Sequence, residues 1–562
     1  MKNYRTVDNK SNERIDQYKS ILYVSKFRLY FLCSIFFVCF SVLAIRATDL
    51  ILFNEKTDLA SLQAKVYSYE GNSRNNIYDR NGTLLATNIS SSSLFANPKK
   101  IKNKIKVSES LSKILEGKEV NDINKKLSSK SKFVWIKRQI SPREHAEINK
   151  LGIPGLGFQT EPKRIYPQKS LTSHVIGYVG DDNYGQAGIE KQFNKKLSVD
   201  SSSVNLTLDI RVQHALRDEM YKSMQKFNAI GAAGIIIDVK SGEIISMVSL
   251  PDFDPHKSRS PNSNQYFNRA TLGIYEMGST FKFFTLAAAL ENQVVTLRDR
   301  YDARKPFKVS RFTITDVHPE KRWLSVSEVF QHSSNIGTAK IAIDLGGEKQ
   351  KIFFEKLGLL SRPNLQIPEI GNPIIPNPWR KSSTVTASYG HGIAVSLLQV
   401  AVGYASLVNG GMKISPTLIL DNKLKNQERI ISNSNSKKLR FLLRSVVQIG
   451  TGSKADAPGY LVGGKTGTAI KAVSGGYDHK SFISSFASIF PSDNPQFAIV
   501  VMLDEPKGTK DTFYKAYAGW TVAPIINNVV NRIAPLLEIN PKIDIEAINK
   551  YEAIQVSTED NL

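Results

Sequence analysis

The chain has 562 residues, of which 41% are hydrophobic and 22% are charged. This composition excludes a disordered protein and leaves room for at least two domains with cores of their own. Basic residues exceed acidic ones by 24, but the excess is spread along the chain, with its densest run at Lys99–Lys106 and no zinc-finger or aromatic RNA-binding signature. We therefore expect no nucleic-acid partner, since diffuse positive charge suits a polyanionic or anionic membrane surface equally well.

An uncharged, apolar run covers Leu29–Ile45. Its 17 residues are near the lower limit for a helix that crosses a bilayer. A cleaved signal peptide is the alternative, with Val42–Ala44 as the cleavage site, but the 28 mostly basic and polar residues before the run are long for one. We predict a cytoplasmic tail over 1–28, one transmembrane anchor over 29–46, and export of the rest of the chain.

The cysteines and histidines predict little further chemistry. Cys33 and Cys39, the two cysteines of the chain, both lie in the apolar run, so we expect no disulfide in the exported part. The eight histidines show no paired spacing typical of metal ligands. We therefore expect neither a metal nor a cofactor.

The region over 47–205 is predicted to be an elongated, β-rich pedestal. Arg74–Asn88 has the pattern of a β-hairpin around the Asn81–Gly82 turn. Asparagine, lysine and serine crowd residues 88–132 without a long apolar stripe. Short strands and polar loops that act as a spacer are the expected result.

The region over 206–540 is predicted to be an α/β domain of the α+β kind. Val212, Ala215, Leu216 and Met220 have helical spacing, and a pair of β-rich runs follows around a Lys-Ser-Gly-Glu turn. An apolar helix is predicted from Ser279 to about residue 290, and two further strands come near the C-terminal end. These elements indicate one antiparallel sheet with helices on its faces, followed by a polar tail over 541–562.

Ser279 and Lys282 lie three residues apart at the start of the predicted apolar helix. A neutral lysine there would activate the hydroxyl as a nucleophile. The alternative is an N-capping serine with an exposed lysine. The spacing alone leaves both open, because the same spacing recurs elsewhere in the chain, for example at Ser110–Lys113, Ser129–Lys132 and Ser434–Lys437.

Two further polar segments favour the interpretation of Ser279 as a nucleophile. Ser333-Ser334-Asn335 forms a polar turn in an apolar helical region, and Lys465-Thr466-Gly467-Thr468 lies in a stretch typical of a strand at a sheet edge. Each triplet has a counterpart elsewhere, at Ser260–Asn262 and at Lys240–Gly242. The order and the spacings of 54 and 132 residues are not reproduced by those counterparts.

The three segments, in that order, resemble the S-x-x-K, S-x-N and K-T-G set of the penicillin-binding proteins and serine β-lactamases. The longer stretches resemble the class B high-molecular-mass penicillin-binding proteins, from about residue 70 to 535: Asn268–Lys282, Ser333–Ala342, Gly463–Ala469, Arg164–Gly180 and Gly188–Phe193. Tyr275-Glu276, the Ser-Ser-Asn triplet and Asp316–Glu320 are similar to the division-specific FtsI type. Met277, Asn75 and Ala518-Gly519 depart from the usual pattern of the class.

The resemblance implies a peptidoglycan D,D-transpeptidase at the division septum. The residues it assigns to catalysis are Ser279 as nucleophile, Lys282 as base, and Ser333, Asn335 and Lys465. Those it assigns to substrate binding are Thr466, Gly467 and Thr468, with the backbone N–H groups of Ser279 and Thr468 as the oxyanion hole.

The resemblance also implies partners and a location. Stem peptides ending in D-Ala–D-Ala would be the substrate and β-lactams covalent inhibitors. An FtsW-type glycosyltransferase and other division proteins would be partners, and the chain would sit in the bacterial inner membrane with its catalytic domain in the periplasm.

Four alternatives remain open at this point. A secreted β-lactamase or D,D-carboxypeptidase would use the same residues for hydrolysis. A β-lactam sensor would need several membrane spans. An elongation-specific transpeptidase and a catalytically weak scaffold for division proteins are the other two.

Overall fold

The computed structural model describes residues 26, 28, 30–44, 74–199, 202–257, 263–310, 312–421, 428–473 and 476–542. The chain divides into two units, Met1–Asn72 and Ser73–Leu562. Residues 30–44 of the first unit are helical. Among all described residues, no helix is both long and apolar enough to cross a membrane. The ends of the predicted anchor, most of the predicted cytoplasmic tail and residues 543–562 of the predicted C-terminal tail lie outside the described residues.

The predicted pedestal is a mixed α/β structure. Its strands are β1 (Ile77–Tyr78), β2 (Leu84–Ala96), β3 (Val134–Ile140), β4 (Leu156–Ile165), β5 (Tyr178–Val179), β6 (Gly185–Ala187) and β7 (Val204–Asn205). Its helices are α1 (Lys104–Ile114), α2 (Val120–Leu127), α3 (Pro142–Lys150), α4 (Ser173–Ile176), α5 (Gly188–Gln192) and α6 (Asn194–Val199), with a 3₁₀ turn at Lys169–Thr172. The long strand β2 pairs with β1 at its start and with β3 and β4 farther along, so the predicted hairpin at Asn81–Gly82 is confirmed.

The prediction of a β-rich pedestal with polar loops over 88–132 was wrong. Helices α1 and α2 lie there, and they bury Val107, Leu111, Ile123 and Leu127 in a small core that they share with β2, β3 and α3. Those residues have the four-residue spacing of a helical stripe. Lysine, asparagine and serine fill the positions between them, which obscured the stripe in the sequence.

The larger part of the second unit is built on one antiparallel five-stranded sheet, in the order β14-β15-β16-β8-β9. Its strands are β8 (Gly231–Asp238), β9 (Ile244–Leu250), β14 (Gly463–Val473), β15 (Gly476–Phe490) and β16 (Phe497–Asp504). The short strands β10 (Arg300–Asp302), β11 (Phe307–Val309), β12 (Phe312–Ile314) and β13 (Trp323–Ser325) form two separate hairpin-like pairs. The predicted antiparallel sheet is confirmed, and β14 lies at its edge as expected.

Helices cover both faces of this sheet. They are α7 (Ile210–Lys226), α8 (Lys282–Glu291), α9 (Val326–Gln331), α10 (Asn335–Leu345), α11 (Gly347–Lys356), α12 (Lys381–Ser388), α13 (Leu397–Val408), α14 (Asn433–Ile449), α15 (Ala518–Thr521) and α16 (Ala523–Ile533). Alternate residues of β16 point to opposite faces. Ile499 and Val501 pack in the cluster that holds α7 and α16, whereas Val500 and Met502 pack in the cluster that holds α8 and α13.

The pedestal has a base that shares the core of the sheet domain. Ile77, Leu85, Val175 and Ile189 belong to the same buried cluster as helix α8. The head of the pedestal, around α1 and α2, has a separate core. The hydrophobic core therefore continues across residue 205. The domain boundary predicted at that residue stays a prediction.

Candidate active site

Ser279 lies in a tight first turn that precedes helix α8. Gly278–Phe281 forms a 3₁₀ turn and the α-helix proper begins at Lys282, so the predicted helix is confirmed with a tighter start. The hydroxyl of Thr280 donates to the Met277 carbonyl at 3.0 Å, and the buried Tyr404 hydroxyl donates to the Thr280 carbonyl at 3.0 Å. These bonds hold the turn in place while Ser279 itself stays half-exposed.

Lys282 is 1% exposed, so the alternative of a surface lysine beside a capping serine was wrong. Lys113, Lys132 and Lys437, the lysines of the segments compared above, are all exposed. Burial therefore distinguishes the candidate pair from its counterparts. A lysine serves as a base only when it is neutral, and burial favours that form.

Two buried lysines meet on the hydroxyl of Ser333. Lys282 Nζ donates to Ser333 Oγ at 3.1 Å and to the Ser333 carbonyl at 2.5 Å, and Lys465 Nζ donates to the same Oγ at 2.9 Å. Ser333 lies between α9 and α10 with a φ of 60°, in the left-handed region that non-glycine residues seldom adopt. That backbone conformation is part of a turn that brings the hydroxyl between both amines.

Burial lowers the pKa of Lys282 to about 7, although the Asp316 carboxylate opposes the shift. Burial also lowers the pKa of Lys465 well below its usual range, and the nearby Lys282 acts in the same direction. Each pKa falls because an ammonium group loses hydration when it leaves water, and two adjacent positive charges repel each other. The site thus holds amines that are available as proton acceptors near neutral pH.

Asp316 organises the start of helix α10. Its carboxylate accepts from the Ser334 hydroxyl at 2.8 Å and from the Ile336 N–H at 3.0 Å. The side-chain NH₂ group of Asn335 donates to the Thr315 carbonyl at 2.9 Å. The side-chain carbonyl oxygen of Asn335 takes no part in this bond. The sequence identified the Asp316–Glu320 segment as a family feature but did not identify this role.

Strand β14 lies directly against the turn that carries Ser279. A Cβ at Gly467 would come 2.5 Å from the Met277 carbonyl oxygen, so a larger residue would push the strand away. At Gly278, which has a φ of 56°, a Cβ would come 3.0 Å from the Thr468 carbonyl oxygen. The backbones of Ser279 and Thr468 are therefore neighbours, as an oxyanion hole requires.

The hydroxyls of the edge strand have partners on two other elements. Thr466 Oγ1 lies 2.8 Å from Thr451 Oγ1, and Thr468 Oγ1 accepts from the Ala518 N–H at 3.1 Å. A hydroxyl that accepts one bond can still donate its own proton. Thr466 and Thr468 can therefore donate to an anionic group beside Lys465, and the sequence did not predict Thr451 or Ala518 as their support.

Ser279 Oγ makes no hydrogen bond with any residue that the structure describes, so the predicted pair of Ser279 and Lys282 is not in hydrogen-bond contact. Lys282 contacts Ser333 instead. Nucleophile-to-base bonds are often long in the absence of substrate. The remaining predicted residues are brought together: Ser333, Asn335, Lys465 and the Thr466–Thr468 strand surround the same turn.

Sequence reasoning identified Glu276 only as a family feature and did not predict its contacts. Its carboxylate accepts from the Gly392 N–H at 2.8 Å and from the Tyr477 hydroxyl at 3.0 Å. Burial raises the pKa of Glu276, and these two bonds oppose that shift. Glu276 thus connects the segment before Ser279 to the loop after α12 and to the start of β15.

Acyl transfer through a serine requires a base that is neutral at working pH and backbone donors next to the nucleophile. Lys282 and the edge strand β14 meet these requirements, which makes the protein a serine-type acyltransferase by its fold and site. Residues 232–531 match the family described as "Penicillin binding protein transpeptidase domain", and residues 70–213 match the "Penicillin-binding Protein dimerisation domain". The chain belongs to the penicillin-binding protein family, in the class B form that joins these two domains.

Relatives and solved structures agree with this assignment. The chain is 34% identical over 84% of its length, and 83% of the other's, to the "Probable peptidoglycan D,D-transpeptidase FtsI" of Caulobacter vibrioides. It is 31% identical, over 83% of its length and 85% of the other's, to the "Probable peptidoglycan D,D-transpeptidase PenA" of Neisseria meningitidis. The fold matches penicillin binding protein 3 of Mycobacterium tuberculosis complexed with aztreonam, with a TM-score of 0.67 at 22% identity, over 84% of this chain and 97% of that one. The predicted FtsI-type, class B membership is confirmed.

Proposed function

We propose that the protein is a peptidoglycan D,D-transpeptidase that crosslinks stem peptides at the division septum through an acyl-enzyme on Ser279. The observation that carries the proposal is the convergence of Lys282 and Lys465 on Ser333, beside a half-exposed serine. The relative in Caulobacter vibrioides, a probable peptidoglycan D,D-transpeptidase, supports the substrate class. The aztreonam complex of the Mycobacterium tuberculosis structure supports β-lactams as ligands of a protein with this fold.

Acylation begins when Ser279 Oγ attacks the carbonyl of the penultimate D-alanine and Lys282 Nζ, in its neutral form, accepts the hydroxyl proton. The oxygen of the tetrahedral intermediate accepts from the N–H groups of Ser279 and Thr468. The C–N bond to the last D-alanine then breaks. Its nitrogen receives a proton through Ser333, whose hydroxyl bonds both Lys282 and Lys465, and free D-alanine leaves.

The substrate is bound on two sides of the turn that carries Ser279. The terminal carboxylate lies against Thr466, Thr468 and Lys465, and Asn335 binds the peptide backbone. An amine from a neighbouring stem peptide then attacks the ester carbonyl and gives its proton to Lys282. The ester bond to Ser279 Oγ then breaks and Lys282 returns the proton to that oxygen, which forms the crosslink and restores the Ser279 hydroxyl. A β-lactam acylates Ser279 in the same first step. Its amide bond lies in a ring, so the nitrogen that leaves the carbonyl stays attached to the acyl group and the serine ester remains.

The membrane location is part of the proposal. The apolar run at Leu29–Ile45 and its basic flank support a single anchor with the N-terminus in the cytoplasm. The catalytic domain then lies in the periplasm, where its substrate is found. An FtsW-type glycosyltransferase and other division proteins are the proposed partners of the anchor and pedestal.

The proposed function is tested by exposing the full-length protein to benzylpenicillin and measuring its intact mass. We expect a stable adduct that maps, after trypsin digestion, to residues 270–282 and by fragmentation to Ser279. Product analysis with a stem peptide and an acceptor amine then separates crosslinking from hydrolysis. A folded protein without an adduct would identify a scaffold, and an adduct lost within seconds would identify a hydrolase.

The rate of acylation is expected to depend on pH through Lys282. Below its pKa of about 7 the amine is protonated and cannot accept the hydroxyl proton, so the rate should rise about tenfold per pH unit and level off above neutrality. The measurement is the second-order rate constant of benzylpenicillin acylation from pH 5 to 9. A profile that is flat across pH 7 would contradict Lys282 as the base.

A further inference from the structure

Two adjacent aromatic side chains, Phe513 and Tyr514, stand out from the surface after strand β16. We call this pair the aromatic tip. Their side chains are 72% and 71% exposed, the highest values of any aromatic residue in the described part of 74–542. Monomeric proteins seldom expose large adjacent rings without a partner.

The backbone of the aromatic tip is held in an unfavourable conformation. Phe513 and Tyr514 have φ values of 50° and 58°, in the left-handed region that bulky residues avoid. The Tyr514 N–H donates to the Thr509 carbonyl at 2.8 Å, and the Phe513 N–H donates to the Lys510 carbonyl at 3.0 Å. Strain of this kind persists mainly where function requires it. The loop thus presents both rings to solvent instead of folding them inward.

The surroundings of the aromatic tip are aromatic and basic. The ring of Phe513 meets the ring of Trp520 edge to face at 5.7 Å, and Lys454 Nζ lies 4.3 Å from the centre of the Trp520 ring. Lys510 and Lys515 flank the tip and are exposed. The nearby Asp511 pairs with Lys226 at 3.4 Å. The surface next to the rings is therefore net cationic.

The aromatic tip is tethered to the catalytic strand. The Ala516 carbonyl accepts from the Ser484 hydroxyl of β15 at 2.6 Å, and the Ala518 N–H donates to Thr468 on β14. Phe513 and Ala518 are five positions apart in the chain, so their Cα atoms are at most about 18 Å apart. An extended stem peptide of about five residues has the same maximum reach. A sugar that carries a stem peptide bound at Ser279 can thus reach the tip.

We propose that the aromatic tip is a binding subsite for the glycan of the strand whose stem peptide occupies the catalytic site. The apolar C–H faces of N-acetylated hexosamines stack on Phe513 and Tyr514, and carboxylates of the stem peptides pair with Lys510 and Lys515. Flat apolar rings bind such faces with little loss of side-chain freedom. This inference rests on the proposed function, because the glycan is reached through the peptide at Ser279.

The experiment compares two substrates in the full-length protein. One is a sugar-free peptide ending in D-Ala–D-Ala, and the other is the same peptide attached to an oligosaccharide of alternating N-acetylglucosamine and N-acetylmuramic acid. The double variant Phe513→Asn with Tyr514→Asn removes the rings, and asparagine tolerates the left-handed backbone. We expect KM for the glycan-linked substrate to rise about tenfold, with kcat and the sugar-free reaction unchanged.

Two further variants serve as controls. Phe441→Ala removes a ring that is 64% exposed on helix α14 and should leave both substrates unaffected. Phe513→Tyr with Tyr514→Phe keeps both rings and should restore the wild-type KM. Equal KM values for wild type and the asparagine variant on the glycan-linked substrate would overturn the proposal.

A binding measurement separates this proposal from the proposed function. Chitotetraose, a sugar without peptide, should change the fluorescence of Trp520 in the wild type and not in Trp520→Phe or in the asparagine variant. Wild type that forms the penicillin adduct but does not bind chitotetraose would overturn the glycan subsite alone. Wild type that binds chitotetraose but forms no adduct would refute the transpeptidase and show the aromatic tip as a sugar-binding surface that does not serve catalysis at Ser279.

Discussion

Lys282→Met is expected to slow acylation by benzylpenicillin by about 10²- to 10⁴-fold, the usual contribution of a general base. Lys282 is buried and its amine donates to Ser333, so the substitution removes the proposed proton acceptor without exposing the position. Methionine has a similar length and needs no hydration, so the fold should be retained. The measurement is the second-order acylation rate at pH 8, with thermal unfolding as the check on folding.

The matched control is Lys113→Met. Ser110 and Lys113 have the same spacing as Ser279 and Lys282, but they lie on helix α1 with Lys113 exposed. Acylation in this variant should equal that of wild type. If Lys282→Met acylates at the wild-type rate while it is folded, another group must be the base and the proposed role of Lys282 is wrong.

Glu190→Ala is expected to destabilise the protein by about 3–5 kcal/mol, because it leaves buried positive charge without a partner. Glu190 is completely buried at the base of the pedestal, and its carboxylate bonds Arg74 Nε at 2.5 Å and Arg164 Nε at 2.7 Å. Arg74 also donates to the Glu190 carbonyl at 2.5 Å. The measurement is the free energy of unfolding from urea denaturation.

The control for this prediction is Glu147→Ala. Glu147 pairs with Arg143 on the surface of helix α3, where the arginine side chain is 87% exposed. Solvent screens such a pair, so no measurable change in stability is expected. Similar urea midpoints for Glu190→Ala and Glu147→Ala would show that the ion pairs of Glu190 do not stabilise the base of the pedestal.

The large elements of the fold could be predicted from local patterns. The stripe at Val212, Ala215, Leu216 and Met220 lies on helix α7 as expected, and all four side chains are buried. The alternating and fully apolar runs became β8, β9, β15 and β16. The apolar pattern did not predict the helices of the pedestal head. Helices α1 and α2 bury only about one residue in four, and the lysines between the buried positions obscured the helical stripe.

The sequence proposed the members of the candidate site but not the contacts between them. Ser279, Ser333 and Lys465 came from motifs that are far apart in the chain. That both lysines bond Ser333, and not Ser279, depends on how β14, α8 and the turn at Ser333 pack together. The supporting residues Asp316, Thr451 and Glu276 had no signal in spacing, since each acts through a partner on another element.

The sequence by itself determined the order of the motifs, the antiparallel sheet with its edge strand β14, and the class of chemistry. The sheet follows from short-range periodicity and residue type, whereas the class of chemistry follows from the resemblance of the three motifs to those of the penicillin-binding proteins. Only the tertiary structure showed that, of the Ser-x-x-Lys segments compared here, the one at Ser279 has a buried lysine. The basicity of a lysine depends on burial and neighbouring charge, and long-range packing places Lys282 beside Lys465 while it leaves Lys113, Lys132 and Lys437 in water.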